Sequence, residues 1–298
     1  MYLKSLNSII EIARQKPKKK IAVAAAEDKP VLHAISEAVK IGLVDPILIG
    51  DQSKIESIAA EINFDLASCV IFNETNQILA SKKAVKLIRD NQAQIVMKGM
   101  VATADYLRAI LDKENGLRKG DLLSHIGFFE VPSYHKLIAL TDAAQNIAPT
   151  LEDKVSIINN SVDLYHHLGI DMPKIAVLSA VENVNTKMSS SVDAALLTMM
   201  NRRKQIKGCL IDGPLAFDNA VSEEATIHKG IVSEVAGDTD LLLAPNIEVG
   251  NTLYKAFTYF AGATVAAIIL GATAPVVLTS RADTDKSKLM SIALAASY

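Results

Sequence analysis

The sequence predicts an α/β protein of two domains, and three observations support this. The chain has 298 residues, more than one hydrophobic core usually organises. Half of the residues (50%) are hydrophobic and 21% are charged, a balance typical of a well-buried globular protein. Short β-rich runs alternate with longer helical patterns along the whole chain, which favours sheets covered by helices.

Ten apolar runs are predicted to be strands. In order they are IAVAAA (21–26), ILIG (47–50), VIF (70–72), IVM (95–97), HIGFFEV (125–131), KLIALT (136–141), KIAVLS (174–179), GCLID (208–212), DLLLA (240–244) and VVLT (276–279). HIGFFEV and KLIALT lie close enough to form a hairpin, so we expect a mixed sheet.

The segments between these runs carry helical periodicity. MYLKSLNSIIEIARQ at the N-terminus predicts an amphipathic helix, and it lacks the long apolar core of a secretory signal. Another helix is predicted from Lys29, since Pro30 suits a first turn and Gly42 follows the last one. Its apolar face comprises Val31, Leu32, Ile35 and Val39.

One uncharged stretch, between Lys255 and Arg281, requires a test for membrane insertion. Gly271 and Pro275 divide it into an Ala-rich part and a short Val-rich part, each too short to span a bilayer alone. We therefore predict a buried helix followed by a central strand. A new helix opens near Ala148–Lys154 and a fresh strand–helix series follows, so we expect a domain boundary near residue 150.

Charge and cysteine content exclude several classes of protein. The net charge of −2 and the pI near 6.3 predict no binding to nucleic acid or to anionic membranes. The basic run at 16–20 is typical of a solvated turn, although polyanion binding is an alternative. Cys69 and Cys209 provide neither a disulfide scaffold nor a zinc site, which indicates a reducing, cytoplasmic location.

Ligands of α/β sheets collect at the carboxyl ends of strands, and the loop after VVLT is the first candidate site. It presents Ser280 and Arg281, followed by Asp283 and Asp285 before the last helix. An arginine there suits phosphate. The two aspartates are candidate bases toward a thiol, or else helix caps.

The loop after IVM is a second candidate. Lys98 and Gly99 follow this strand, and Thr103 is a candidate cap for a helix carrying Asp105 and Arg108. A lysine, a helix start and an arginine together suit phosphate or a pyrophosphate.

Two further strand ends carry polar residues with open interpretations. Asp212, Asp218 and Asn219 either line a cleft or serve a local turn and cap. Asn246, Glu248, Asn251 and Lys255 surround a helix start, where contacts between domains or subunits would explain them equally well. Phosphate-loop, nucleophile-elbow, HExxH and GxGxxG motifs do not occur, so no metal site and no tightly bound cofactor are predicted.

Four motifs together resemble the phosphate acetyl/butyryltransferase family over essentially the whole chain. They are TADYLRA (103–109), DGPLAFDNAVS (212–222), SEVAGDTDLLLAPNIEVGNTLYK (233–255) and LTSRADTDKSKLMSIALA (278–295). The segments APNIEVGN and TSRADT are similar to those of the butyryltransferase branch of this family. This similarity implies a butyryl or other short or branched acyl chain as the group transferred.

The resemblance implies two α/β domains with an interdomain cleft, like those of the isocitrate and isopropylmalate dehydrogenases. The C-terminal segment would return to the first domain, giving 1–150 with 272–298, and 151–271. The implied reaction exchanges an acyl group between coenzyme A and inorganic phosphate without a covalent enzyme intermediate, in a homodimer or larger assembly.

The resemblance also implies roles for individual residues. Arg281 would contact phosphate, Ser280 would hydrogen-bond the reacting acyl group, and Arg108 would be a second anion clamp. Lys98, Thr103, Asn251 and Lys255 are the remaining candidates for substrate binding. Acetyltransferases carry a proposed base that a gapless match places at Ser287, so Asp283 or Asp285 would substitute, or no side-chain base is needed.

Two rival functions remain open on the sequence. A metal- and NAD-dependent decarboxylating dehydrogenase shares the implied fold, but the isolated Asp212, Asp240 and Asp283 do not form an evident metal site. A non-catalytic CoA-binding regulator is favoured only by the missing aspartate at Ser287.

Overall fold

A computed structural model describes residues 3–120, 122–278 and 283–298 of the chain. It divides into two compact units. The first unit comprises Asn7–Asp121 and Ala266–Tyr298, and the second comprises Met1–Leu6 and Leu122–Val265. Each unit contains a sheet and helices, which confirms the predicted α/β class.

The elements alternate along the chain as the sequence predicts. In order they are α1 (Leu6–Arg14), β1 (Lys19–Ala24), α2 (Lys29–Lys40), β2 (Val44–Gly50), α3 (Gln52–Glu61), a 3₁₀ turn (Leu66–Ser68), β3 (Val70–Asn73), α4 (Gln77–Arg89), β4 (Ile95–Lys98), α5 (Thr103–Ile110), β5 (Ser124–Glu130), β6 (Ile138–Thr141), α6 (Leu151–His167), β7 (Lys174–Leu178), α7 (Ser189–Arg202), β8 (Leu210–Leu215), α8 (Phe217–Val221), α9 (Glu223–His228), β9 (Leu241–Leu243), α10 (Ile247–Tyr259), β10 (Thr264–Leu270), β11 (Val276–Val277) and α11 (Asp285–Ala296).

The sheet of the first unit has the strand order β3-β2-β1-β4-β11-β10. Strands β3, β2, β1, β4 and β11 are parallel, so their carboxyl ends share one edge, while β10 is antiparallel to β11. The central strands are buried on both faces, as the continuous apolar runs predict. Helix α2 packs against α11.

The predicted helix from Lys29 has the expected start and stop. The Asp28 carboxylate accepts the backbone N–H of Val31 at 3.2 Å and caps α2, with Pro30 in its first turn. Gly42 has φ of +79° just after the helix, a conformation that suits glycine. These local signals place the start of α2 directly after the end of β1.

The sheet of the second unit has the order β5-β6-β9-β7-β8. Strands β5 and β6 form the predicted antiparallel pair, with Ile126 opposite Thr141 and Phe129 opposite Ile138. Strands β6, β9, β7 and β8 are parallel. The expectation of mixed strand pairing is therefore confirmed.

The bounds of the units differ from the predicted domain bounds of 1–150 with 272–298, and 151–271. Strand β5 pairs with β6, and β6 pairs with β9, so residues from Leu122 onward group with the later strand–helix series. The predicted domains remain a proposal.

The prediction of one Ala-rich helix before Gly271 is wrong. Helix α10 ends at Tyr259, Gly262 follows with φ of +63°, and TVAAIIL forms strand β10. Thr264, Val265 and the two isoleucines have branched β-carbons that favour a strand, whereas the alanines made the segment resemble a helix. Within the described ranges, no helix is long and apolar enough to cross a membrane.

Candidate functional site

The carboxyl edge of the parallel strands in the first unit carries the candidate residue Lys98. It is the last residue of β4 and is only 8% exposed. Its ammonium donates a hydrogen bond to the carbonyl oxygen of Gly99 at 3.0 Å. The parallel sheet thus holds a cation at the edge where ligands of α/β proteins usually bind.

The backbone beside Lys98 is tightly packed. Gly99 donates its N–H to Ala24 O at 2.8 Å, and Met100 donates to Ala25 O at 2.7 Å. A Cβ at Gly99 would lie 2.1 Å from Ala25 O, so only glycine fits there. Ala25 itself has φ of +54°, a left-handed conformation that costs an alanine energy and is often found at functional sites.

A second buried lysine, Lys288, belongs to the same edge and was missed in the sequence. It lies in the first turns of α11 and is 3% exposed, and its ammonium donates to the carbonyl oxygen of Asp283. A lysine near a helix N-terminus opposes the helix dipole. This unfavourable position for a lysine, in the largely apolar run KLMSIALA, is the sequence feature that could have identified Lys288.

Lys98 and Lys288 line one cavity of about 450 Å³ in the first unit. The start of α2, with Glu27 and Asp28, forms another part of the wall. The Asp28 carboxylate is occupied in capping α2, and Glu27 accepts the N–H of Asp51 at 3.3 Å. The remaining described lining is Lys29, Pro30, Val31, Ile58, Gly99 and Met100.

The predicted loop before α11 is only partly described. Ser280 and Arg281 lie outside the described residues. Asp285 is the first residue of α11 and is exposed, with one carboxylate oxygen 3.4 Å from Nδ1 of His33 on α2. Thr284, rather than either aspartate, caps the helix by accepting the N–H of Ser287 at 3.1 Å. Ser287 is buried, and the Thr284 hydroxyl donates to its hydroxyl at 3.1 Å.

Helix α5 positions Thr103 and Arg108. Thr103 is exposed and occupies the first helical position after Ala102, where no side chain caps the helix, so its predicted capping role is wrong. Arg108 is exposed and pairs with Asp105 one turn earlier. It lines a groove of about 670 Å³ together with basic residues of α4, namely Lys82, Lys86 and Arg89.

Helix α10 of the second unit carries Asn251 and Lys255, one turn apart. Asn251 donates to the carbonyl oxygen of Ala143 at 3.2 Å, and Lys255 is exposed with its ammonium 5.4 Å from the Tyr254 ring centre. Asn246 caps this helix by accepting the N–H of Val249 at 3.0 Å. The helix start therefore contacts the segment that follows β6.

A cavity of about 900 Å³ opens beside the start of α10. It lies at the carboxyl ends of β7 and β9, and Asn246, Glu248 and Phe217 form part of its wall. Lys154, which is buried, pairs there with Asp193 at 2.6 Å. The cavity is large enough for a cofactor-sized ligand.

The motif around Asp212 has local roles. Asp212 accepts the N–H of Gly213 at 2.9 Å, and Asp218 lies 3.5 Å from Lys229. Asn219 is fully buried and donates to Glu182 at 3.4 Å. In the part of the chain that the structure describes, no three His, Cys, Asp or Glu side chains cluster in a way that could hold a metal ion.

The fold and these strand ends define an α/β protein with cationic residues at the edge where ligands bind. The family model described as Phosphate acetyl/butaryl transferase matches residues 5–82 and 70–296. Phosphate butyryltransferase of Clostridium acetobutylicum is 50% identical over 294 residues, covering 99% of this chain and 98% of that protein. The chain belongs to the phosphate acetyl/butyryl transferase family.

Solved structures agree with this assignment. A branched-chain phosphotransacylase from Enterococcus faecalis is 35% identical, with a TM-score of 0.83 over 93% of this chain and 97% of that chain. A 4-hydroxythreonine-4-phosphate dehydrogenase from Burkholderia phymatum shares the fold at 14% identity, with a TM-score of 0.55 over 95% of this chain and 98% of that one. At this identity the dehydrogenase indicates the fold alone.

Proposed function

We propose that the protein transfers a butyryl or other short or branched acyl group between coenzyme A and inorganic phosphate. The observation that carries the proposal is the 50% identity to a phosphate butyryltransferase across 99% of the chain. The buried lysines at the ends of β4 and at the start of α11 support it, because both the substrate and the product are anions.

In the proposed reaction a phosphate oxygen attacks the thioester carbonyl carbon, and a tetrahedral intermediate forms. The C–S bond then breaks, so that CoA leaves as a thiolate and the acyl phosphate remains. Ser280 and Arg281 are the proposed groups for orienting the acyl group and for binding phosphate. Positioning and charge stabilisation account for the rate enhancement.

A base is needed in the reverse direction, to remove the proton of the CoA thiol. Ser287, at the position that acetyltransferases fill with an aspartate, has no basic group, and its amide and hydroxyl both contact Thr284. Asp283 and Asp285 remain the proposed bases. One carboxylate oxygen of Asp285 lies 3.4 Å from Nδ1 of His33.

Coenzyme A and phosphate are proposed as substrates, and no tightly bound cofactor is proposed. Arg108, Thr103, Asn251 and Lys255 are the proposed additional contacts for these substrates. The proposed setting is a cytoplasmic homodimer or larger homo-oligomer, with the two-domain arrangement of the isocitrate and isopropylmalate dehydrogenases. The named relatives disfavour the dehydrogenase alternative.

Thiol release from butyryl-CoA tests the proposal. Purified protein should release CoA only when phosphate or arsenate is present, as measured with a thiol reagent across C2 to C5 acyl-CoAs. Arg281→Ala should lower kcat/KM about 100-fold or more, since a charge-stabilising donor is lost, whereas Arg202→Ala, an exposed control on α7, should not. Release that is independent of phosphate would refute the proposal, and so would no release with any acyl chain.

A further inference from the structure

Lys288 differs from Lys136 and Lys154, two other buried lysines, in the partners of its ammonium. Lys136 lies 2.9 Å from Asp238 and 2.6 Å from Asp240, and Lys154 lies 2.6 Å from Asp193. Within residues 3–120, 122–278 and 283–298, no carboxylate lies within 4.0 Å of the Lys288 ammonium. Burying an ammonium without an anion is costly.

The hydrogen bonds of Lys288 are also incomplete. Its ammonium has three N–H donors. Among the described residues it has one acceptor, the carbonyl oxygen of Asp283. Two donors are therefore available to a ligand, and Lys288 lines the cavity of about 450 Å³ from which a ligand would approach.

The rest of the cavity wall carries charged groups of both signs. Lys98 and Lys288 line it together with two carboxylates, and the third lysine, Lys29, is already paired with Glu61. Both carboxylates already accept backbone N–H groups, Asp28 from Val31 and Glu27 from Asp51. Lys98, which is also buried, lines the same cavity.

We propose that Lys288 and Lys98 form a binding subsite for a phosphate dianion, an inference that rests on the proposed function. Inorganic phosphate is the expected occupant, and the phosphates of coenzyme A are the other source of the same chemistry. Lys288 is thus a substrate-binding residue in addition to those that the sequence indicated.

Neutral substitutions test the subsite. Lys288→Met and Lys98→Met keep side-chain length but remove the charge, and Lys286→Met is a matched control, exposed on the same helix. Each of the first two should raise the KM for phosphate about tenfold or more, the effect of losing a charged hydrogen bond. Lys286→Met should leave it within about twofold, as expected for a surface charge.

A second substrate distinguishes the two sources of phosphate. Butyryl-pantetheine carries the thioester without the nucleotide phosphates of CoA. If Lys288→Met raises the KM for butyryl-CoA but not for butyryl-pantetheine, the subsite holds a CoA phosphate. If it raises the KM for inorganic phosphate with both thioesters, the subsite holds the reacting phosphate, and either result supports the proposal.

Thermal unfolding gives a readout that does not depend on turnover. Inorganic phosphate should raise the Tm of the wild type and of Lys286→Met, and should raise it less in Lys288→Met. Unchanged KM values and an unchanged phosphate-induced shift in Lys288→Met would overturn the subsite, even in an active enzyme. Failure of the proposed function itself would appear as a wild-type protein without phosphate-dependent thiol release.

Discussion

Two regions of the molecule bury lysines in opposite ways. At the amino ends of β6, β7 and β9, the Lys136 ammonium contacts the carboxylates of Asp238 and Asp240, and Lys174 contacts Asp238 at 2.7 Å. At the carboxyl edge of the first unit's sheet, the Lys288 ammonium meets a carbonyl oxygen instead. In the first arrangement the lysines are paired with carboxylates of the chain. In the second, the Lys288 ammonium can still bind an anion.

The difference shows how burial and pairing together separate structural lysines from ligand-binding ones. A paired, buried charge contributes little net stability but is costly to break. A buried charge without an anion is destabilising by itself and is retained where a ligand uses it. Stability and binding should therefore respond in opposite ways at the two edges.

The largest expected effect on stability is that of Lys136→Met. It leaves Asp240, which is 13% exposed in its side chain, without its lysine partner. We expect the free energy of unfolding to fall by about 3–5 kcal/mol, the cost of breaking a buried pair, as measured by urea denaturation. Lys288→Met should lose less than about 1 kcal/mol, because no described carboxylate is left behind.

Lys207→Met, an exposed substitution in the second unit, is the control for both variants. It should change the unfolding free energy by less than about 0.5 kcal/mol. Equal losses for Lys136→Met and Lys288→Met would show that the two lysines have the same structural role, and the contrast between the two regions would be wrong.

The Lys154–Asp193 pair offers an intermediate case. Asp193→Asn keeps the shape of the side chain but leaves the Lys154 ammonium, 5% exposed in its side chain, with a neutral partner. The expected loss is about 2–3 kcal/mol, since the amide can still accept a hydrogen bond. Asp163→Asn on α6, whose side chain is 44% exposed, should lose less than about 0.5 kcal/mol in the same denaturation experiment.

The stability at acidic pH tests the contacts that Asp238 makes with Lys136, Lys174 and His135. Burial raises the pKa of Asp238, but hydrogen bonds from Lys174, Lys136 and His135 outweigh it and hold the pKa well below its usual range. An unfolded aspartate has a pKa of about 3.9. The stabilisation is therefore complete above roughly pH 4 and is lost as the pH falls toward the folded pKa.

Asp238→Asn should remove this acid-dependent part of the stability. Because the side chain is 44% exposed, we expect a loss of only about 1–2 kcal/mol at pH 7 and a flatter pH dependence below pH 4. Urea denaturation at several pH values measures both. A variant with the same acid slope as the wild type would show that other carboxylates control acid unfolding.

The fold was largely predictable because its signals are local. The apolar runs predicted strands β1 to β9, and Pro30 and Gly42 predicted the limits of α2, whose start is capped by Asp28. Strand β10 was missed because the alanines in TVAAIIL suit a helix as well as a buried strand. It pairs with β11, which follows shortly after it in the chain, with Ile269 opposite Val276.

The site was less predictable, for a physical reason. Lys98 was identified because it follows an apolar run, whereas Lys288 resembled an ordinary surface charge on a terminal helix. Its burial results from the packing of α11 against α2, which lies near the other end of the chain at Lys29–Lys40. Sequence gives the residue type, but tertiary packing decides whether the charge meets solvent, a carboxylate or a ligand.

The smallest expected effect is at an exposed lysine of the proposed substrate site. Lys255→Gln on α10 removes a charge that solvent already screens, so we expect the KM for butyryl-CoA to rise only about two- to fivefold. High salt should reduce the difference from wild type, because screening weakens exposed charges. Lys207→Gln, an exposed control, should leave this KM unchanged. A tenfold or larger rise that persists at high salt would mean that Lys255 is buried against the substrate, like Lys288.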